Sequence, residues 1–201
     1  HRLAYDKRHL YEHDIRIPMM IRGPNVMKNV TLESSIVLNI DVAPTLFDIM
    51  SQGSEDLPSD FDGMSFLDLI TNDARNQSWR NDFLISYHGQ GQSTCGLYSC
   101  PRPEPFHEND ATNNTYKCVR TFINPSQNAS FFTPEQKHTG TISNEDTIYC
   151  KFQDNENFVE YYDLESDPWE LSNLYPHSIP DMDRVKELEE RLNLFSKCKG
   201  E

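Results

Sequence analysis

The clearest hydrophobic pattern lies in the second half of the chain, where three segments are rich in tyrosine, phenylalanine, valine and isoleucine. These segments span residues 116–123, 147–153 and 158–164. Aromatic and β-branched side chains are enriched in strands, and the polar turn at residues 154–157 can close a hairpin between the last two segments. This half of the chain therefore predicts a small antiparallel sheet.

The first half carries shorter apolar runs that alternate with helical patterns. Residues 15–21, 34–40 and 83–87 predict strands, and the first of these runs is apolar on both faces. Pro18 interrupts that run, and a proline restricts a strand to an edge, an end or a bulge. The polar turn that precedes it, residues 6–12, is therefore expected at the rim of a sheet, where binding residues are often placed.

Three helices are predicted. Asp41 is expected to cap the first, which runs to about Met50 and has its apolar face formed by Leu46, Ile49 and Met50. Residues 64–70 predict a second, short helix. Residues 181–197 predict a closing helix, with an apolar stripe formed by Met182, Val185, Leu188, Leu192 and Phe195.

Together these elements predict an α/β fold in two parts. Residues 1–88 are interpreted as the end of a mixed sheet, because strands and helices alternate there. Residues 89–201 are interpreted as a second subdomain, in which the small antiparallel sheet packs against the closing helix.

Composition limits the class of protein. The chain has 201 residues, a formal net charge of −14 and 11% aromatic residues. The aromatic content argues against disorder. The acidic balance argues against a nucleic-acid partner, because phosphate contacts need clustered lysine and arginine. No apolar run is long enough to predict a membrane span.

Glycosylation sequons favour a protein of the secretory pathway, for which the lysosome and the outside of the cell both stay open as locations. Asn-x-Ser/Thr sequons, which predict N-linked glycans, occur at Asn29, Asn76, Asn113 and Asn128. The surroundings of all four are polar and turn-like, as a surface modification requires.

Five cysteines agree with that compartment. None belongs to a Cys-x-x-Cys pair, so a zinc site is not indicated, and no metal ligands are predicted in this chain. The preferred pairing joins Cys118 to Cys150 and Cys95 to Cys100, which leaves Cys198 over. Sequence alone does not determine the connectivity.

Several stretches, in this order and spacing, resemble the C-terminal portion of the sulfatases of the alkaline-phosphatase-like superfamily. They are Lys7 with Tyr11 and Glu12, residues 14–18 (DIRIP), 21–24 (IRGP), 39–45 (NIDVAPT), 62–66 (DGMSF), 162–168 (YDLESDP) and 170–174 (ELSNL). Within that family, residues 113–116 (NNTY) and 118–121 (CVRT) are similar to enzymes that act on the 6-sulfate of N-acetylglucosamine.

The resemblance implies hydrolysis of sulfate esters in glycosaminoglycans such as heparan sulfate or keratan sulfate. In this family a formylglycine, made from a Cys-x-Pro-x-Arg cysteine, attacks sulfur while calcium holds the sulfate. This chain lacks that motif, and Cys100-Pro101-Arg102 does not match it. Formylglycine and calcium are therefore expected in an N-terminal part of the same precursor, which would be the partner of this chain. A sulfated glycan would be the substrate.

Lys7 is the one active-site residue that the resemblance carries over to this chain. Its spacing from Tyr11 and Glu12 matches the family lysine that contacts the sulfate and assists the departing oxygen. A nearby ammonium stabilises the negative charge that develops during sulfuryl transfer. The alternative is a solvent-exposed lysine, the usual environment of this residue type.

Three histidines are weaker candidates for substrate contacts. His9 and His13 flank the lysine turn, and His88 follows a predicted strand. The alternative for each is an ordinary surface histidine. Glu12 and Arg16 are expected to form an ion pair that holds the turn.

Three other functions stay open from the sequence. The chain could be a non-catalytic, secreted glycan-binding domain, against which the retained Lys7 argues. It could be part of an extracellular heparan 6-O-endosulfatase, which shares several of the same stretches. Another alkaline-phosphatase-like hydrolase, such as a phosphodiesterase, would need further metal ligands, and the sequence shows no His/Asp cluster of that kind.

Overall fold

A computed structural model describes residues 8–32, 35–52, 56–71, 79–89, 114–123, 145–176 and 182–197. The chain divides into two compact units. Unit 1 comprises His1–Ile17, Asp82–Thr121 and Asp146–Ser196, and unit 2 comprises Pro18–Asn81, Phe122–Glu145 and Lys197–Glu201. Each unit contains segments from both halves of the chain. The division into domains between residues 88 and 89 stays a prediction.

Most of unit 1 is a four-stranded antiparallel sheet with the order β1-β2-β3-β4. The strands are β1 (Asp82–Tyr87), β2 (Tyr116–Ile123), β3 (Glu145–Phe152) and β4 (Val159–Asp163). Tyr87 lies opposite Tyr116, and Tyr149 lies opposite Tyr161. The three strands predicted in the second half are confirmed, because their aromatic and β-branched side chains suit a sheet covered on both faces.

Alternate side chains of a strand point to opposite faces, so each face of the sheet has its own core. On one face Val119, Tyr149 and Tyr161 pack against the closing helix α4 (Met182–Phe195). Val185, Leu188 and Leu192 of α4 are buried there and Phe195 packs against them, which confirms the predicted stripe. Met182 is the exception, since it is 56% exposed.

The other face of the sheet is covered by the N-terminal residues. Leu10 is buried against Tyr116, Ile148 and Tyr162, and the short helix α1 (Glu12–Ile15) follows it. Below Leu10, a disulfide joins Cys118 of β2 to Cys150 of β3, the pairing that the sequence favoured. Cys95, Cys100 and Cys198 lie outside the described residues.

In unit 2 the regular secondary structure of the described residues between 18 and 81 is helical. A 3-10 turn (Asn39–Asp41) leads directly into α2 (Val42–Ser51), and α3 (Leu67–Thr71) follows. A small core formed by Phe66, Leu69, Ile70 and Trp79 lies between these elements. None of the helices in the described residues is long and apolar enough to cross a membrane.

Asp41 does not cap α2 with its side chain, contrary to the prediction. Its fully buried carboxylate instead accepts hydrogen bonds from the backbone N–H groups of Leu38 (2.7 Å) and Met64 (2.9 Å) and from the Arg80 guanidinium. Gly63 lies against the same turn, and a Cβ at that position would come within 2.1 Å of the Ile40 carbonyl oxygen. The Asp62-Gly63 turn therefore requires glycine for this close approach.

Two of the predicted strands are wrong, because neither forms in the described residues. Residues 16–23 adopt no regular structure after α1, and residues 35–38 run directly into the 3-10 turn. A strand is stabilised by a paired neighbour, and neither segment pairs with another strand among the described residues. The predicted apolar face of α2 is not buried among the described residues, because Leu46, Ile49 and Met50 are exposed while Pro44 and Thr45 are buried.

Candidate functional site

Lys7 lies outside the described residues, so the structure bears on the catalytic prediction through the residues that follow it. We call residues 8–15 the N-terminal segment. Its Leu10 is only 2% exposed, which fixes the middle of the segment to the sheet. Polar side chains from β2 and β4, together with Asn114 and Glu170, then hold the residues on either side of Leu10.

The start of the N-terminal segment is held at the end of the sheet where β1 ends and β2 begins. The carbonyl oxygen of Arg8 accepts hydrogen bonds from Asn114 Nδ2 (3.2 Å) and from the Tyr116 hydroxyl (3.4 Å). At the same end, the N–H of Gly89 donates to Thr115 Oγ1 (3.0 Å). The residue next to Lys7 and the residue next to His88 are thus both fixed to Asn114–Tyr116, although 80 or so residues separate them in sequence.

Tyr11 is flanked by the two histidines that were predicted to contact substrate. Its ring stacks on His9 with centroids 6.1 Å apart and on His13 with centroids 5.7 Å apart. His9 is half-buried, whereas His13 is exposed. The three rings form a short column along the N-terminal segment, which restricts the rotamers of both histidines.

Glu160 of β4 is a buried carboxylate directly beneath this column. It accepts hydrogen bonds from the hydroxyls of Tyr162 (3.1 Å) and Tyr11 (3.4 Å). Burial raises the pKa of Glu160, an effect that the two hydroxyls and His9 oppose in part. Burial, together with the nearby Glu160, raises the pKa of Tyr11 to about 12, so this phenol stays a donor at physiological pH.

Arg120 of β2 connects the N-terminal segment to two strands. Its Nε donates to Glu12 Oε1 (2.9 Å), and its Nη1 contacts Asp146 Oδ1 (2.6 Å) and the carbonyl of Thr121 (2.7 Å). The Arg120 side chain is 5% exposed. Arg16, the predicted partner of Glu12, is largely exposed and lies at the 4.0 Å limit of an ion pair. Arg120 is therefore the main partner of Glu12.

Glu170 holds the first residue of α1 from below. Its Oε2 accepts a hydrogen bond from the Glu12 N–H (2.8 Å), while its buried Oε1 accepts none from any residue that the structure describes. Glu170 has a φ of 53°, a left-handed conformation that costs free energy in a non-glycine residue. The surrounding turn maintains it, since Asp167 accepts hydrogen bonds from the N–H groups of Leu171 and Ser172, both at 2.8 Å.

Burial and the neighbouring carboxylate of Glu12 raise the pKa of Glu170 to about 7. The folded state therefore keeps a proton that the unfolded state releases near its ordinary pKa of 4.5. Because the folded state binds more protons in this window, stability is expected to fall as pH rises from about 4.5 to about 7, by at most about 3 kcal/mol.

This expectation is checked by urea unfolding of the chain at pH 5 and pH 7. Glu170→Gln, which keeps the shape of the protonated side chain, is expected to reduce the loss of stability between the two pH values. Glu165→Gln is the matched control, because Glu165 lies in the preceding turn and is exposed. An unchanged pH dependence in Glu170→Gln would contradict the assignment.

The polar groups around the N-terminal segment are suited to positioning it. Their hydrogen bonds run to one another and to the backbone, and in the described residues no group of three or more His, Cys, Asp or Glu side chains is arranged to hold a metal ion. The described residues therefore do not fit a calcium site.

Two further predicted site residues, His88 and Asn29, lie in the described part of the chain. His88 is exposed at the end of β1, on the same end of the sheet as Arg8. Asn29 is exposed in a bend with a φ of 55°, as a glycosylated asparagine needs to be accessible. The sequons at Asn76, Asn113 and Asn128 lie outside the described residues, so these three remain predictions.

Arg120, Glu160 and Glu170 were missed as site residues from sequence. The signal for the first two was a charged residue inside an apolar strand, at positions that alternation places on the same face as Tyr116 and Tyr162. Burying such a charge is costly unless it is paired. Their partners are 108 and 149 residues away, and the partner of Glu170 is 158 residues away, so sequence alone did not identify them.

Comparisons with known proteins identify the family of the chain. A family model described as N-sulphoglucosamine sulphohydrolase, C-terminal, matches residues 1–96. N-acetylglucosamine-6-sulfatase of Capra hircus is 36% identical over 98% of this chain, and the Homo sapiens enzyme is 35% identical over the same share. An arylsulfatase of Volvox carteri is 30% identical over the whole chain.

A solved structure, of a protein in complex with its substrate D-glucosamine-2-N,6-O-disulfate, matches 96% of this chain with a TM-score of 0.63 and 24% identity. The chain covers 30% of that protein, and it spans about a third of the length of the N-acetylglucosamine-6-sulfatases, 32% and 33%. The matched third is the C-terminal one. The chain therefore belongs to the sulfatases, and it corresponds to the C-terminal part of one.

Proposed function

We propose that this chain is the C-terminal part of an enzyme that hydrolyses the 6-sulfate ester of N-acetylglucosamine in glycosaminoglycans. The observation that carries the proposal is the similarity to N-acetylglucosamine-6-sulfatases, which extends over 98% of the chain and not only over one motif. The N-terminal segment supports it, because a buried set of ion pairs and hydrogen bonds holds the residues directly after Lys7.

Lys7 is proposed as the residue of this chain that contacts the sulfate. Its ammonium would stabilise the negative charge on the sulfuryl oxygens and on the departing oxygen. His88, His9 and His13 are proposed to face the sugar. Formylglycine would supply the nucleophile and calcium the counter-charge, and we assign both to the N-terminal part of the precursor.

The compartment proposed is the secretory pathway, ending in the lysosome or outside the cell. The Cys118–Cys150 disulfide supports it, since disulfides persist in oxidising compartments. The exposed sequon at Asn29 is consistent with the same route.

The position of the sulfate that is removed can be tested with one substrate. The complete protein, with its formylglycine formed, is incubated with glucosamine 2-N,6-O-disulfate, and the products are separated by ion-exchange chromatography. We expect loss of the 6-O-sulfate with retention of the N-sulfate. Loss of the N-sulfate alone would contradict the proposal and favour the sulphohydrolase named by the family model. Binding without release of any sulfate would favour a glycan-binding domain.

A further inference from the structure

Glu170 is a buried acid whose carboxyl group is poorly satisfied by its neighbours. The residue is 2% exposed, and its Oε2 accepts one hydrogen bond, from the Glu12 N–H at 2.8 Å. Its Oε1 is also buried and has no hydrogen-bond partner in the part of the chain that the structure describes. An ionised carboxylate offers about four acceptor sites, so burying it with a single donor is costly. The surroundings of Glu170 therefore favour its neutral, protonated form.

The charges next to Glu170 act in the same direction. The charged and titratable groups that face it come from α1, β2, β4 and the residue before α1, and they are Glu12, Arg120, Glu160 and Tyr11. Among these groups Arg120 is the one cation. Its guanidinium is already engaged by Glu12 and by Asp146 of β3. Carboxyl groups thus outnumber the positive charge around Glu170, and a proton is the simplest way to balance them.

Loss of that proton places a second negative charge beside Glu12. Burial first, and then the Glu12 carboxylate, raise the pKa of Glu170 to about 7, so the proton leaves to solvent near neutral pH. The ionised Glu170 then repels the Glu12 carboxylate and competes with it for Arg120. The hydrogen bond from the Glu12 N–H can form in both states, whereas the repulsion exists only in the ionised one.

Helix α1 depends on this contact because it has little stability of its own. It is four residues long, and Tyr11 at its N-cap position provides no side-chain cap. A single helical turn is not stable in isolation, so contacts from other elements must maintain it. Glu170 supplies one of them to the first residue of the helix, from 158 positions away in sequence. Lys7 precedes Tyr11 by four residues in the same segment of chain.

We propose that Glu170 is a positioning residue for the sulfatase reaction, whose protonated carboxyl holds the first turn of α1, and that loss of the proton loosens the N-terminal segment and displaces the adjacent Lys7. This inference rests on the proposed function. Glu170 acts through Glu12 and not on the substrate. A displacement of about 1 Å in a reacting group can lower a rate by about 100-fold, so modest loosening is sufficient to affect turnover.

Deuterium exchange of backbone amides in the complete protein measures the loosening directly. The amides of residues 14–16 donate to the carbonyls of Tyr11 and Glu12. Between pH 5 and pH 8 their protection is expected to fall by at least about tenfold, after correction for the intrinsic exchange rate. In Glu170→Gln, which keeps an acceptor for the Glu12 N–H but carries no charge, it should change by less than about twofold. Glu165→Gln, at an exposed position, is expected to keep the pH dependence of the parent protein.

The amides of β3 are the internal reference, because they report unfolding of the whole sheet. They should stay more protected than residues 14–16 at every pH, which shows that α1 opens locally. Equal protection of residues 14–16 and of β3 would overturn the proposal. The same pH dependence in the parent protein and in Glu170→Gln would overturn it as well.

Kinetics distinguishes positioning from a purely structural role. The ratio of kcat for Glu170→Gln to kcat for the parent enzyme is expected to be near one at pH 5 and to rise by at least about threefold at pH 8. The ratio cancels the titration of other active-site groups, which both enzymes share. Both values are expressed per folded enzyme, so a residue that only stabilises the fold would leave the ratio constant, and a constant ratio would overturn the proposal.

Glu170→Ala removes the acceptor itself. At pH 5 it is expected to lower kcat by at least about threefold, and Glu170→Gln should recover the parent value. A kcat equal to that of the parent enzyme in Glu170→Ala would overturn the proposal. If Glu170→Ala does not fold, the comparison with Glu170→Gln decides instead.

The exchange measurement needs no substrate, so it separates this inference from the proposed function. Loosening of residues 14–16 with rising pH in a complete protein that releases no sulfate would support the hold of Glu170 on the N-terminal segment and contradict the proposed activity alone.

Discussion

Replacing Lys7 with alanine is expected to lower kcat of the complete enzyme by at least about 100-fold, because loss of one preorganised donor to a developing anion costs that much in comparable sites. The ammonium would interact with the sulfuryl group more strongly in the transition state than in the bound substrate. The effect should therefore fall mainly on kcat, with little change in KM. Steady-state kinetics on a 6-sulfated N-acetylglucosamine substrate measures both.

Lys28→Ala is the matched control, since Lys28 is an exposed lysine of unit 2 and away from the N-terminal segment in sequence. Lys28→Ala should unfold at the same urea concentration as the parent protein, because substitutions of exposed residues usually change stability by less than about 0.5 kcal/mol. The same is expected of Lys7→Ala if its role is catalytic. An unchanged kcat in Lys7→Ala would remove Lys7 from the active site. A large loss of stability would assign it a structural role instead.

Replacing Arg120 with alanine is expected to destabilise the chain by about 3–5 kcal/mol, the range for removing one partner of a buried ion pair. The variant leaves Glu12 and Asp146 without their guanidinium. Burial already raises the pKa of Asp146 although Arg120 opposes that shift, so the carboxylate would be left poorly compensated. Urea unfolding measures the difference.

Arg16→Ala is the control with the same chemistry and the same carboxylate partner. Arg16 is 81% exposed and 4.0 Å from Glu12, so its loss should cost less than about 1 kcal/mol. Arg120→Lys should recover only part of the stability, because one ammonium cannot reach Glu12, Asp146 and two carbonyls together. Equal effects of Arg120→Ala and Arg16→Ala would contradict this account.

Prediction from the sequence succeeded for the sheet and closing helix of unit 1 and failed for residues 18–22 of unit 2. In β2, β3, β4 and α4 the local pattern and the tertiary environment agree, because each element has a neighbour on the described sheet. At residues 18–22 the local pattern and the tertiary environment disagree. A pattern that is apolar on both faces predicts burial, but burial needs a second layer, and the described residues do not supply one.

The positioning residues illustrate a different limit. Lys7 is proposed from its resemblance to a lysine of the sulfatase family, and that resemblance rests on a short motif that a sequence displays directly. Arg120, Glu160 and Glu170 act on the N-terminal segment through contacts with partners more than 100 residues away, which no local pattern identifies. Only the fold shows that alternation along β2 and β4 directs Arg120 and Glu160 toward the N-terminal segment.

The sequence by itself determined the strands of the sheet, the closing helix and the relationship to the sulfatases, because these depend on local pattern and on short motifs. It favoured the Cys118–Cys150 pairing, which the tertiary structure then established. The tertiary structure decided which charges are buried, which carboxylates meet at α1, and which apolar residues of unit 2 remain uncovered. The physical reason is that desolvation and pairing depend on neighbours distant in sequence, and these are brought together only when the chain folds.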